Sequence, residues 1–520
     1  MSEQSSAYYE ALVDKNTFAT SWELVPGRGA VERYQEEFMR SAKEAAEAGK
    51  IHALTITDNP GGNPATSAEM LSAELSGLGN EIVVHFTCKD KSRNQLEALL
   101  YGLERASVRN VMALTGDHAS AGYLGHSTPV FDLDATQLVG LITQLNKGLE
   151  FPGPRRTVKL APTNFIVGAV VSPFKATEAE LAGQYYKLKK KLEAGAQFIV
   201  TQLGFDARKF HEAVLMMKHL GYEDVPLVGN VYVLSRGAAR VMRQGDVPGC
   251  VVTDRFYELL TQEAKEADKG KAKRLERAAK MVAMMKGMGY AGVHIGGHGL
   301  KYQEVETIIE MGEDLAPQWR DFVHEFDFPQ PGGWYYFEKD PETGLNTDTP
   351  VDRSQRPPTP LAYRGFRLLH HTIFEPKGIL FGPMRAMSEA IDGSGIEDAF
   401  NRLEHLGKVI TNECMHCGDC GLPDVAYLCP MSQCPKKQRN GPCGGSSEGW
   451  CEVYPGKRKC IYVRAYQRLK HYGEADQLGA YLVPPPDHSL RRTSSWLNYF
   501  MGRDHTAKRL GLEPPEQEES

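Results

Sequence analysis

Eight short apolar runs separated by amphipathic stretches narrow the possible folds of this chain more than any other feature. The runs are Phe18–Val25, His52–Thr57, Glu81–Thr87, Arg109–Thr115, Phe165–Val171, Gln197–Leu203, Pro226–Val233 and Gly289–Ile295. Between them lie patterns of helical period, among them Ala30–Ala48, Ser92–Ala106, Glu178–Ala194 and Ala207–Leu220. Tyr257–Lys286 also reads as helical, with an interruption. Continuous apolar runs of this length suit strands buried on both faces, and strict strand–helix alternation builds parallel sheets. Eight repeats predict an α/β chain folded as a (β/α)8 TIM barrel. An open doubly wound sheet is the competitor. No Gly-x-Gly-x-x-Gly follows a strand, and Gly296-Gly297-His298-Gly299 lacks that spacing.

The ends of the runs carry the chemistry. In Arg109–Asp117 an apolar stretch, Val111–Leu114, stops at Thr115-Gly116-Asp117. A buried strand ending in Gly and a carboxylate is how a barrel delivers a reactive group to its C-terminal rim, although an Asp there also caps helices. The same layout recurs in Trp22-Glu23-Leu24-Val25-Pro26, in Thr57-Asp58, in His85-Phe86-Thr87-Cys88 and in Thr201-Gln202-Leu203-Gly204. An acid, a hydroxyl, an imidazole, a second acid and an amide are thus expected around one rim.

At 520 residues the chain exceeds one ordinary core, so a large domain and a smaller one are expected. A formal net charge of −6 argues against nucleic-acid binding, which calls for a basic face. The first residues have neither a basic flank nor an apolar core, and no apolar run reaches membrane-spanning length, so a cytoplasmic protein is expected. Of ten cysteines only Cys88 and Cys250 precede residue 400. The other eight are Cys414, Cys417, Cys420, Cys429, Cys434, Cys443, Cys451 and Cys460. In a reducing compartment such density reads as metal ligation rather than disulfides. Cys414-x-x-Cys417-x-x-Cys420 with a following Cys429-Pro430 fits a [4Fe–4S] cluster; four-thiolate zinc uses similar knuckles, and both stay open for either quartet.

Taken together, residues 17–300 resemble methylenetetrahydrofolate reductase, a flavin-containing barrel. The segments that carry the resemblance are Trp22–Pro26, His52–Asp58, Val84–Cys88, Leu114–Asp117 and, most diagnostic, Leu188–Asp206. The resemblance implies reduction of 5,10-methylenetetrahydrofolate to 5-methyltetrahydrofolate, or the reverse oxidation, with FAD or FMN bound. Glu23 matches the general acid that protonates the folate nitrogen, a role suited to a partly buried carboxyl of raised pKa. Asp117 matches the carboxylate that stabilises positive charge developing on folate, and Gln202 the amide that orients the pterin. Thr57, His85, Leu114, Gly116, Asp117 and Lys191 match flavin-binding positions, Lys191 as a phosphate partner. A homo-oligomer, with tetrahydrofolate as substrate and NAD(P)H or an electron-transfer protein as donor, is implied as well.

Three positions depart from common bacterial members of that family. Thr115 stands where they carry Arg, Val170-Val171-Ser172-Pro173-Phe174 replaces a Tyr-Pro-Glu-x-His-Pro stretch, and Gly296-Gly297-His298 stands where a folate-side Arg is expected. These departures open the choice of electron donor and of flavin. The cysteine-rich part resembles the small subunit that accompanies the reductase in acetogen-type complexes, which implies electrons entering through it. A folate-binding barrel in a methyl-transfer assembly, with structural zinc and no redox chemistry, is the alternative. The expected division is a barrel over 1–310, a connector packed on it over 311–405, the cysteine-rich domain over 406–500 and a disordered tail over 501–520. Within the connector, His370-His371 reads as structural, and Ala386–Gly407 as a helix. Lys436-Lys437-Gln438-Arg439 and Lys457-Arg458-Lys459 read as solvated faces or as a basic surface for an acidic carrier.

Overall fold

In the computed structural model, which describes residues 5–512, the eight runs are eight parallel strands that close on themselves. They are β1 (Ala19–Leu24), β2 (Ala53–Ile56), β3 (Ile82–Thr87) and β4 (Asn110–Leu114). β5 (Ile166–Val171), β6 (Phe198–Thr201), β7 (Leu227–Tyr232) and β8 (Gly292–Gly296) complete the ring. The barrel closes where β1 lies between β2 and β8, with Glu23 opposite Thr55 and Ala19 opposite Gly292.

Strand periodicity of two sorts the side chains into two layers. Ala53, Val83, Met112, Ile166, Phe198, Val200 and Val228 point inward and fill the barrel, with Tyr8 of the helix Ala7–Val13 packed beneath them. Ile56, Val84, Phe86, Val111 and Val167 point outward against the helices in the main core. The Phe198 ring crosses the barrel axis only because Gly168 faces it. A Cβ there would lie 2.2 Å from the ring. Beyond them the inward positions include Glu23, His85, Asn230 and His294, which make the mouth a site where the floor is core.

The helical pattern expected over Tyr257–Lys286 is two helices, Asp254–Glu263 and Lys271–Met288, broken at Lys269 and Gly270 in the left-handed region. The connector lies against the barrel through Lys209, whose Nζ donates to Trp334 O at 2.6 Å. The helix expected over Ala386–Gly407 is also two, Phe381–Ile391 and Glu397–Asn412, because Gly393 and Gly395 interrupt it. The second of these runs through the expected domain boundary at 405/406. Residues 501–512 are not a disordered tail: Met501, Asp504, His505 and Ala507 are buried, and His505–Leu510 is a helix capped by Asp504. The remaining expected tail lies outside the described residues. No helix among the described residues is long and apolar enough to cross a membrane.

The C-terminal part sits on the barrel's mouth. Helix Ile461–Tyr472 buries Ile461, Tyr462, Ala465 and Tyr466 against Ala179 and Ala182 of helix Glu178–Glu193. Lys470 pairs with Glu178 at 2.5 Å at the edge of that contact. The expected basic run 436–439 is not a surface. Lys436, Gln438 and Arg439 are buried, drawn in by Glu452, Thr115 and Asp419.

Asp134 joins the two parts. Its Oδ1 caps helix Ala135–Leu145 by accepting from the N–H groups of Thr136 and Gln137. Its Oδ2 accepts from Arg439 N, Asn440 N and Asn440 Nδ2 at 2.9–3.1 Å. Removing the carboxylate leaves several buried donors without partners. Asp134→Ala is therefore expected to destabilise the chain by about 3–5 kcal/mol, read as a lower Tm and as proteolytic cleavage between barrel and C-terminal part.

His505 locks the last helix by bridging Asp419 and Asp424, 2.8 Å from Asp424 Oδ2. Burial disfavours its charge, but the two carboxylate hydrogen bonds outweigh burial and raise its pKa to about 9. The stabilisation is complete below the unfolded value of about 6.5 and is lost as pH rises through about 9. Wild-type Tm should fall across that window, and His505→Gln should be less stable at pH 6 with a flatter profile.

Candidate active site

The polar inward positions converge on one cavity of about 300 Å³ at the C-terminal mouth. Glu23, Thr57, His85, Leu114, Gly116, Asp117, Lys191 and Gln202, expected from different segments, all line it. Glu23 comes from β1, His85 from β3 and Leu114 from β4. Thr57, Asp117 and Gln202 lie just beyond β2, β4 and β6, and Lys191 on the last turn of helix Glu178–Glu193.

Backbone shape brings Asp117 in. Gly116 has φ +84°, and a Cβ there would stand 2.7 Å from Lys89 Cβ. The turn it permits lets Asp117 Oδ2 accept from Gly61 N at 2.8 Å. Burial raises the Asp117 carboxyl above its ordinary pKa, and the positive charge of Lys436 opposes that rise. Asp58 plays another part: it accepts from Thr87 Oγ1 at 2.6 Å and pairs with Lys91 at 2.5 Å, tying β2 to β3.

Glu23 departs from the expectation of a raised pKa. Burial pushes its carboxyl up, but the hydrogen bond and charge of His294 outweigh burial and hold it below the usual value. His294 Nε2 stands 3.5 Å from Glu23 Oε2, and its other ring nitrogen faces Ser21 Oγ at 3.3 Å. His85 packs on His294 with ring centroids 5.8 Å apart, and burial lowers its pKa to about 4, leaving it neutral. Burial, followed by the neighbouring charge of Lys187, lowers Lys191 to about 7, and its Nζ donates to Val170 O at 2.6 Å.

Several buried polar atoms around the cavity have no partner: Thr57 Oγ1, His85 Nε2, Ser172 Oγ, Gln184 Nε2 and Asn230 Oδ1. Leaving a buried polar group unsatisfied costs about 1–3 kcal/mol each, so a set aimed into one space is built for a ligand rich in donors and acceptors. The ring edge and hydroxyls of a flavin fit that description.

The far wall of the cavity comes from the C-terminal part. A strap, Gly441-Pro442-Cys443-Gly444-Gly445, crosses the mouth, and Lys436 and Glu452 reach in beside it. Lys436 Nζ donates to Gly116 O at 2.8 Å and pairs with Glu452. Gln438 Oε1 accepts from Thr115 Oγ1 at 3.1 Å and from Lys187 Nζ at 2.6 Å. Lys175 holds the strap by donating to Gly444 O and Ser446 O. Of these residues the sequence marks Cys443 only as a metal ligand, Thr115 as a departure from the family pattern, and Lys436 and Gln438 as part of a solvated basic run. The imidazole of β8 in the cavity is His294, two residues after inward-facing Gly292, whereas His298 stacks on Tyr34. Inward parity was the signal for His294; none marks Lys436 or Glu452.

The eight C-terminal cysteines are free and form two groups. Cys414, Cys417, Cys420 and Cys429 face one another, as do Cys434, Cys443, Cys451 and Cys460. Among the described residues, one group of three or more His, Cys, Asp or Glu has all its ligand atoms within 4.8 Å of one another: Glu23, His85 and His294. A separate apolar cavity of about 400 Å³ near Phe374 and Trp496 has only paired Glu404 and Lys408 for charge beside His370 and Asp504, and offers no comparable constellation.

Residues 8–309 match the family described as methylenetetrahydrofolate reductase, and residues 394–489 match one described as methylene-tetrahydrofolate reductase C terminal. Among named proteins, "Methylenetetrahydrofolate reductase 2" of Saccharomyces cerevisiae is 24% identical over 201 residues, 36% of this chain and 30% of its own length. The "5,10-methylenetetrahydrofolate reductase" of Pectobacterium carotovorum subsp. carotovorum is 28% identical over 138 residues, 26% of this chain and 38% of its own. The match thus spans about a third of either relative. A solved Clostridium thermocellum protein, titled as binding two copies of 5-methyl-5,6,7,8-tetrahydrofolic acid, covers 60% of this chain and 100% of its own at TM-score 0.41 and 11% identity, too loose a likeness to carry weight. With more than half of its length matched over the whole barrel that holds the cavity, the chain belongs to the methylenetetrahydrofolate reductase family.

Proposed function

We propose that the cavity catalyses the flavin-dependent interconversion of 5,10-methylenetetrahydrofolate and 5-methyltetrahydrofolate, with electrons entering through the cysteine-rich C-terminal part. The observation that carries this reading is the ring of unpartnered buried polar atoms inside a barrel of this family. A bound flavin supplies hydride transfer. Thr57, His85, Leu114, Gly116 and Asp117 would hold its ring, and Lys191 its phosphate.

The chain's own groups do the rest. Gln202 orients the pterin through an amide that both donates and accepts. Asp117 stabilises positive charge on folate as the methylene bridge opens. Glu23 protonates the folate nitrogen. His294 holds the Glu23 carboxyl ionised in the water-filled cavity, and exclusion of that water by folate favours the protonated acid that Glu23 must be to act. Sealing the mouth with the strap keeps that proton from solvent. The C-terminal part resembles the small subunit of acetogen-type reductases, and its thiols are suited to a metal cluster that feeds the flavin from NAD(P)H or a redox protein.

The test is a half-reaction. Dithionite-reduced holoenzyme mixed anaerobically with 5,10-methylenetetrahydrofolate should regain its oxidised flavin bands. Glu23→Gln should keep its flavin and slow that step by about 10²–10⁴-fold; an undiminished rate overturns the role of Glu23. A colourless protein holding zinc alone overturns the whole reading in favour of a folate-binding barrel. Gly116→Ala should lower flavin content, since its Cβ would push Lys89 and Thr87 apart at a turn with φ +84°; full flavin occupancy would contradict that placement.

A further inference from the structure

We infer that helix Glu397–Asn412 is the contact surface for a second copy of this chain, paired with its own counterpart antiparallel about a two-fold axis. The inference is independent of the proposed activity and adds a partner to which that activity is indifferent.

The helix is built inside out. The face it turns to its own chain is polar: Glu404 pairs with Lys408 at 2.7 Å, Ser495 Oγ donates to Glu404 at 2.7 Å, and Asn412 is buried. Its apolar residues face away. Ile396, Ala399, Leu403, Leu406 and Ile410 follow one another at alternating steps of three and four, and the four large ones are 57–77% exposed. A surface helix normally shows the opposite arrangement, and this spacing is the seam of a coiled coil, which is satisfied by another helix. Gly407, inside the same helix, has open space where a Cβ would stand. Nothing in its own chain calls for a residue that costs about 1 kcal/mol there relative to Ala; close approach of a second backbone does. The apolar surface continues beyond the helix, since Leu369 of helix Leu361–Ile373 and Leu403 line the same apolar cavity. Among the described residues, twelve of the twenty-six exposed large apolar side chains fall within residues 361–415. Monomers rarely leave more than a few hundred Å² of connected apolar surface in water. A stable interface takes about 800 Å² from each partner, and these side chains supply the core of one.

A second copy fits because the stripe complements itself. With Leu403 opposite the partner's Leu406 in an antiparallel pair, Ala399 falls opposite the partner's Ile410, and the symmetry repeats each contact. A small residue thus meets a large one on both sides of the axis. Antiparallel packing also sets each helix N-terminus beside the other's C-terminus, where opposite dipole ends attract. Side-chain charge agrees. Asp398, which has no ion pair of its own among the described residues, comes to the end where the partner's Arg458 stands beside Glu413. A parallel pair would instead bring two Glu397-Asp398 ends together, like charge against like.

The test is sedimentation velocity on the full-length protein. Wild type should sediment as a dimer or an even multiple of the chain. Leu406 and Ile410 lie on the stripe and outside the apolar cavity. Leu406→Glu and Ile410→Glu should therefore each keep the wild-type far-UV circular dichroism while weakening association by about 30-fold or more, as for a central contact. Mixing Leu406→Glu with Leu403→Lys should give a dimer tighter than either variant forms alone, because the two-fold register sets the new carboxylate against the new ammonium. A wild type that stays monomeric at its highest soluble concentration overturns the inference, even if it floats with phosphatidylglycerol vesicles through these residues. So does a mass that neither glutamate variant lowers, and a mixture no tighter than its components overturns the antiparallel register. Neither flavin nor folate enters the readout, so a failed association leaves the proposed activity standing.

Discussion

One carboxylate joins the two parts of this molecule. Asp134 begins a barrel helix with one oxygen and receives the backbone of residues 439–440 with the other. Burying a charge is tolerated only when its lone pairs are filled, and here donors from both parts fill them. Because the acceptor is fixed by the helix it caps, the residues just before and after 439–440 have fixed places too. Lys436 and Gln438 on one side and the glycine strap on the other are delivered to the barrel's mouth.

The cavity so formed mixes opposed charges at short range. Lys436 sits between Glu452 and the turn that carries Asp117, and Lys187 and Lys191 line the same cavity. Neighbours of one sign pull ionisations apart, which is how adjacent carboxyls come to do different work. Asp117 is raised and Glu23 lowered in one space, the first by burial and the second by the His294 imidazole, which outweighs burial. A reaction that needs one acid and one fixed counter-charge can draw on that contrast.

Much of this was readable from the residues. The apolar runs gave all eight strands to within three residues at the ends, as with Gly289 against Gly292 for β8, because continuous hydrophobic stretches have few alternatives between helices. Glu23, His85 and Gln202 follow from parity: each lies two or four residues beyond a side chain that fills the barrel, so each must point the same way. His294 obeys the same rule, but the glycines after it drew attention to His298. The ionisation of Glu23 was misjudged because it depends on His294, a residue 271 positions away that only barrel closure brings near. Lys436, read as solvated from its basic neighbours, is buried by partners on another part of the chain. Composition cannot announce such docking, nor the helix at 505–510, which forms because His505 finds two aspartates.

The strap has a consequence for how such a site is maintained. Were the cysteine-rich part a free subunit, the cavity would be complete only in the fraction of barrels that had captured one. Held on the same chain, Cys443 and Lys436 are present at an effective concentration in the millimolar range, so closure of the mouth no longer depends on how much protein the cell makes. Dilution, which would dismantle a two-subunit version, leaves this one whole.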